Sequence, residues 1–225
     1  MDAKRSKVFA KIAREITIAA RLGGGDSDMN PRLRLALLKA RGANMPADNI
    51  TRAIQRGTGE GVAASFEELS YEIYGPHGAA ILAEISTDNR NRTSADIRAI
   101  LTRNDGKMAT AGSVSRLFHR KGQIMIARDA ANEDELMELA LEAGADDFKA
   151  ESEGYEVLTA PEDFEAVHQV IESKEIAMET AEITQLPEML APVSSEAELE
   201  KVHKLVDLLE DHDDVQSVFT NAEMA

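Results

Sequence analysis

The sequence predicts an α+β protein. An N-terminal three-helix bundle is followed by two α/β domains of the ferredoxin-like, split-βαβ kind, with the third domain inserted into the second. Three observations carry this expectation. Over the first sixty positions apolar residues recur every three or four, punctuated by glycine and proline. From Phe66 onward the period shortens to that of strands. Finally, a complete βαββαβ order within 120–192 leaves a C-terminal helix and strand without partners inside it.

The first helix carries Val8, Phe9, Ile12, Ile16 and Ala19 at helical spacing and ends at Leu22, where Gly23, Gly24 and Gly25 follow. Lys4, Lys7, Lys11, Arg14 and Arg21 fall within an arc of about 100° beside that stripe. One face is core and one is cationic. Asn30 before Pro31 reads as an N-cap with proline at the first helical position, opening a second helix with Leu33, Leu37 and Ala40 inward, closed by Gly42. A third begins near Pro46 or Asp48, buries Ile50, Ala53 and Ile54, and stops at Gly57.

Two strands, 69–74 and 79–86, are joined by Gly75-Pro76-His77-Gly78. A helix with Ile97, Ile100 and Leu101 inward runs to the turn at Asn104-Asp105-Gly106. Strands follow at 113–118 and 122–127, divided by a basic turn. Beyond them come helix 133–142, strands 146–151 and 155–159, helix 161–173 and strand 176–184, then helix 195–210 and strand 215–219. The expected domains are 1–65, 66–119 with 193–225, and the inserted 120–192, since chain ends of a domain commonly lie close together.

Composition narrows function. The 225 residues are 43% hydrophobic and 29% charged, ordinary for a soluble globular protein, and no run reaches the roughly 18 apolar residues of a membrane span. The N-terminus lacks a secretory apolar region, so a cytoplasmic location is expected. The absence of cysteine removes disulfides, thiolate metal sites and cysteine nucleophiles. Glycine pairs lack the spacing of phosphate-cradling loops, the five histidines lack metal-ligand spacing, and no serine sits in a nucleophile elbow. The expectation is a protein that is not an enzyme and carries no cofactor.

The net charge of −16 hides an asymmetry: +6 over 1–60, +2 over 61–128 and −24 over 129–225. At a Debye length of about 8 Å the two ends act separately. The cationic face of the first helix is therefore a candidate phosphate anchor, or else a solvated helix face. The second and third helices also permit a weak helix-turn-helix reading, with Asp48, Asn49, Arg52 and Arg56 on the reading helix. In Asp88-Asn89-Arg90-Asn91-Arg92-Thr93, at a strand-to-helix junction, Arg90 and Arg92 are either free for phosphate or held in an N-cap with an internal Asp–Arg pair. Arg116, Arg120 and Lys121 either extend a basic track around that domain or are ordinary turn charges. Few aromatics, 4%, argue against base stacking on a sheet. The acidic inserted domain suits a protein partner or a spacer, and helix 195–210 reads as a solvated face.

Several stretches resemble the YebC family, whose mitochondrial branch is the translational activator of cytochrome c oxidase. They are 15–25, Asn30-Pro31-Arg32-Leu33-Arg34, 44–50 with 52–59, Thr87 to Thr93, and Gly112-Ser113-Val114 to Lys121-Gly122. The resemblance spans nearly the whole chain. It implies a helical domain followed by two α/β domains, and a role in gene expression. The resemblance allows two partners; the acidic bulk of the chain and the weak helix-turn-helix signal favour ribosomal RNA on the ribosome, where the protein would relieve stalled translation. Duplex DNA, with the protein as a transcriptional regulator, is the alternative, and a protein-interaction scaffold is a third. Nucleic-acid contacts are then expected at Lys4, Lys7, Lys11, Arg14, Arg21, Arg32, Arg34, Arg52, Arg56, Asn89, Arg90, Asn91, Arg92, Arg116, Arg120 and Lys121. Family members usually carry a basic histidine-serine-lysine segment ahead of the match to Ala3-Lys4-Arg5, where this chain has Met1; the resemblance implies either a start placed late in this sequence or a missing cationic arm.

Overall fold

The computed structural model describes residues 2–59 and 66–224. It divides into two compact units, Met1–Leu117 with Pro187–Ala225, and Phe118–Leu186. The chain crosses between them at 117/118 and 186/187, not at 119/120 and 192/193, and the helical bundle shares a unit with the first α/β layer.

In the first unit α1 (Asp2–Gly23), α2 (Pro31–Gly42) and α3 (Ala47–Thr58) enclose Ile12, Ile16, Ala19, Leu33, Ala36, Ala40, Met45 and Ala53. Val8, expected inward, is exposed. Buried Asn30 accepts the Leu33 amide at 3.1 Å and donates its own amide to Ala19 O and Gly24 O, so the cap of α2 also ties down the end of α1. A side chain at Gly57 would sit 2.5 Å from Thr17 O and 2.8 Å from Ala20 Cβ. Only glycine lets α3 lie this close to α1.

The same unit holds β1 (Glu67–Tyr74), β2 (Ala80–Thr87), α4 (Arg90–Arg103) and β3 (Lys107–Met108). The inserted unit contains β4 (Phe118–Ala127), α5 (Glu133–Glu142), β5 (Asp147–Ala150), β6 (Gly154–Thr159), α6 (Phe164–Ser173) and β7 (Thr180–Pro187). The chain then returns through β8 (Ala191–Val193), α7 (Glu196–Glu210), β9 (Val215–Thr220) and β10 (Ala222–Met224). Strand order is β3-β1-β2-β9 in the first sheet and β5-β6-β4-β7 in the second, the latter being the split-βαβ order. In the first sheet β1–β2, β1–β3 and β2–β9 are antiparallel. Its core joins Ile73, Ile81, Ala83 and Ile85 to Ile97 and Leu101 of α4 and Val202, Leu205 and Leu209 of α7.

Two local expectations need correction. Of the strand expected over 113–118 only Phe118 is in a strand, as the first residue of β4; a short 3-10 turn, Ser115–Leu117, precedes it, and Lys107–Met108 supplies the edge strand instead. The cause is Glu72, whose carboxylate accepts the amides of Gly112 (2.6 Å), Val114 (2.6 Å) and Ser115 (2.8 Å) and so withdraws them from any ladder. Nor does a basic turn divide two strands, because β4 runs unbroken from Phe118 to Ala127. The small parallel pair β8–β10 is unread in the sequence, since three residues are too few for alternation to register.

Candidate nucleic-acid interface

Three cations of the α1 face, Lys7, Lys11 and Arg14, meet the C-terminal end of α7 and the residues that follow it. The last turn of a helix exposes unsatisfied carbonyls and the negative end of its dipole. Lys11 Nζ donates to Glu210 O at 2.5 Å, and Lys7 Nζ to Asp211 O at 3.1 Å while pairing with Asp211 Oδ1 at 2.8 Å. Arg14 Nη1 reaches Ser86 O (2.7 Å), Asp213 O (2.9 Å) and Asp214 Oδ1 (3.2 Å), with its guanidinium over the Phe66 ring. Burial pulls the Lys11 ammonium below the ordinary lysine value and Lys7 adds to the fall, while Glu210, Asp211 and Asp213 oppose it. For Glu210, burial pushes the carboxyl up against the pull of Lys11. Lys7, Lys11 and Arg14 are thus caps for the chain's own acidic end, which corrects their assignment as a displayed anchor. Arg32 is likewise engaged, by Glu15 and Glu68, and Arg34 by Ser27 O and Asp28 O.

The strand-to-helix motif closes around Asp214, which is buried. Asn89 caps α4 by accepting the Arg92 amide. Arg92 Nη2 bridges Asp88 (2.8 Å) and Asp214 Oδ2 (2.9 Å). The Asn89 amide donates to Thr87 Oγ1, that hydroxyl meets Thr93 Oγ1 at 2.8 Å, and Thr93 donates to Asp214 Oδ2 at 2.7 Å. Of the two readings of this motif, the local one accounts for Asn89 and Arg92. Asn91 is exposed, and Arg90 pairs with Glu67 at 3.1 Å, both largely exposed. Burial pulls the Asp214 carboxyl up, but Arg92, Thr93 and Arg14 together hold it below its ordinary value.

Glu72 shows the same balance: burial raises its carboxyl, and the amides of Gly112, Ser115 and Val114 outweigh that and lower it. A carboxyl depressed in the folded state stabilises the fold fully above its ordinary value and loses that contribution as pH falls through the folded one. Stability should therefore decline from about pH 4.5 downward, the ordinary values being 4.5 for Glu72 and 3.8 for Asp214. Urea melts across pH 2–6 check this, and the slope should flatten in Glu72→Gln and in Asp214→Asn. An unchanged slope in both would show that these carboxylates do not control acid stability.

The remaining cations lie elsewhere. Lys4 is exposed, and so is Arg21 in the last turn of α1. Arg116 is exposed on the 3-10 turn. Arg120 and Lys121 belong to β4 in the inserted unit, where Lys121 pairs with Asp146 at 2.7 Å. On α3 Arg52 and Arg56 are both exposed and one turn apart, and neither has an acidic partner among the described residues. Arg52 hydrogen-bonds Asn49 and Asp48 O. They line a groove of about 920 Å³ between α1 and α3, with Gln55 and Asn49 beside them and Phe9, Ala13 and Phe66 as its apolar wall. Of the residues expected from the sequence, Arg14, Arg52 and Arg56 meet here. The wall itself was not expected, because Phe66 follows a glycine-containing stretch and its place against α1 is a tertiary contact.

Comparison with known proteins agrees along the whole chain. Residues 1–60 match the family model for the TACO1/YebC protein N-terminal domain, and residues 66–222 that for the TACO1/YebC second and third domain. A probable transcriptional regulatory protein of Carboxydothermus hydrogenoformans is 52% identical, covering 100% of this chain and 93% of that one. Another, from Chloroherpeton thalassium, is 52% identical over 100% and 90%. The crystal structure of a conserved hypothetical protein from Aquifex aeolicus superposes with a TM-score of 0.87 at 42% identity, over 100% of this chain and 92% of that chain.

Proposed function

We infer, from the premise that this chain belongs to the TACO1/YebC family and is a regulator of gene expression, that it acts in translation without catalysing a reaction, docking on ribosomal RNA to relieve stalling. The observation that carries this reading is the α1–α3 groove. It offers two guanidinium groups, Arg52 and Arg56, on one helix face with no carboxylate partner among the described residues, whereas Lys7, Arg14 and Arg32 are paired with acidic side chains of the chain itself. Guanidinium forks suit phosphate oxygens, and the exposed Gln55 amide suits sugar and base edges.

Structured RNA fits better than duplex DNA. A DNA-reading helix presents its N-terminal residues to the major groove. In α3 that end carries exposed Asp48, which meets phosphate with repulsion, and Asn49, which is held by Arg52. The overall charge of −16 also disfavours wrapping long DNA, whereas a folded RNA can admit one end of the molecule.

Sedimentation with ribosomal subunits over a salt series tests this, with a short DNA duplex in parallel. Wild type should co-sediment with subunits. Arg52→Glu with Arg56→Glu should weaken that binding about tenfold or more and lower the salt slope by about two. Equal binding by the variant would remove the groove as the interface, and tighter binding to the duplex, lost in the variant, would favour transcription.

A further inference from the structure

A second cationic groove lies on the first α/β layer, formed where the β1–β2 turn, the α4–β3 turn and α7 meet. It has a volume of about 660 Å³ and is lined by Tyr74, Gly75, Pro76, His77, Gly78, Asp105, Gly106, Lys107 and Lys201. We propose that it binds a phosphate group of a nucleotide-sized ligand, with Lys107, Lys201 and the His77 ring as the recognising groups.

Four observations support this independently of the α3 groove. First, only four lysines or arginines occur in residues 129–225 against 28 acids, and two of the four, Lys201 and Lys204, stand one turn apart on α7, the first of them on this rim. Second, Lys107, Lys201 and Lys204 are exposed and have no ion-pair partner among the described residues, unlike Lys7 or Lys121. Third, the described residues include four non-glycine positions with left-handed backbone, and two of them, His77 (φ 58°) and Asp105 (φ 55°), lie on this groove. Histidine and aspartate are among the residue types that tolerate this conformation best, and here it fixes the two turns that carry the His77 ring and precede Lys107. Fourth, the volume falls within the range of small-molecule sites, and the Tyr74 ring, 5.9 Å from Lys107 Nζ, gives the groove an aromatic surface.

The acidic groups nearby are accounted for. Glu198 is turned to the α7 cap: its Oε2 accepts the Ser194 amide and its Oε1 lies 3.5 Å from His77 Nδ1, which orients the imidazole. Asp105 is one carboxylate against two ammonium groups on the rim, with Lys204 adding a third one turn away.

The full chain, isotope-labelled, is titrated with adenosine monophosphate, with inorganic phosphate and with a short single-stranded RNA, following the His77 ring and the amides of Gly78 and Lys107 by NMR. The expected result is saturable movement of these signals by at least one of the three. Lys107→Glu with Lys201→Glu should weaken it about tenfold, and the exposed single change Lys201→Glu about threefold. In the titrations with adenosine monophosphate and inorganic phosphate, Arg52→Glu with Arg56→Glu should not move the His77, Gly78 and Lys107 response, which separates this site from the α3 groove. Saturation by nucleotide without RNA assigns a free phosphorylated metabolite, and competition by RNA assigns a nucleic-acid backbone. Absence of saturation with all three, or full retention of it in the lysine variants, overturns the proposal.

Discussion

Asp214→Ala lowers the stability of the unit formed by Met1–Leu117 and Pro187–Ala225 by about 2–3 kcal/mol, the scale for losing charge-assisted hydrogen bonds to a buried carboxylate. Its carboxylate meets Arg14 from α1, Arg92 and Thr93 from α4, and Thr87 Oγ1, 3.2 Å away at the end of β2. Removing it takes the shared buried carboxylate from two guanidinium groups and a threonine hydroxyl, leaving Arg14 with Ser86 O and Asp213 O, Arg92 with Asp88, and Thr93 with Asn89 O. Asp214→Asn keeps an acceptor and loses the charge, so its loss should be intermediate. Urea unfolding followed by far-UV circular dichroism, read with amide hydrogen exchange at Thr87 and Thr93, measures both variants. A loss under about 1 kcal/mol for the alanine variant would mean the arginines find equal partners elsewhere, and the hub would not be a fastening.

Lys11→Glu is the second large effect, about 2–3 kcal/mol, and it separates the structural use of the α1 cations from a binding use. The substitution removes a charge-assisted bond to Glu210 O and sets a carboxylate against the negative end of α7, where Glu210, Asp211 and Asp213 already crowd. Lys7→Glu, at a more exposed pair, should cost much less. Neither change should alter the salt slope of ribosomal-subunit binding measured on the folded fraction, whereas the arginine reversal on α3 should. A Lys11→Glu protein of wild-type stability with a reduced salt slope would return the anchor to α1.

Much of the fold was legible because its signals are local. Asn30-Pro31, the spacing of Ile97 and Leu101, and the βαββαβ order of the inserted unit can each be read within a few tens of residues. The strand misplaced to 113–118 failed because Glu72, some forty residues upstream, claims the amides a strand would need. The candidate site divided the same way. Arg52 and Arg56 show their shared helix face in their spacing, but nothing near Lys11 or Arg14 in sequence reveals partners about 200 residues away.

The order of residues by itself determined the helix and strand periods, the family, and the charge asymmetry of a basic head and an acidic tail. Only the tertiary structure decided what that asymmetry does. Within the unit they share, the head and the end of the tail neutralise each other, because helix C-terminal carbonyls and carboxylates brought against lysine and arginine form hydrogen-bonded pairs. Periodicity reports which face of an element is apolar; it carries no information on which distant element will meet its charged face.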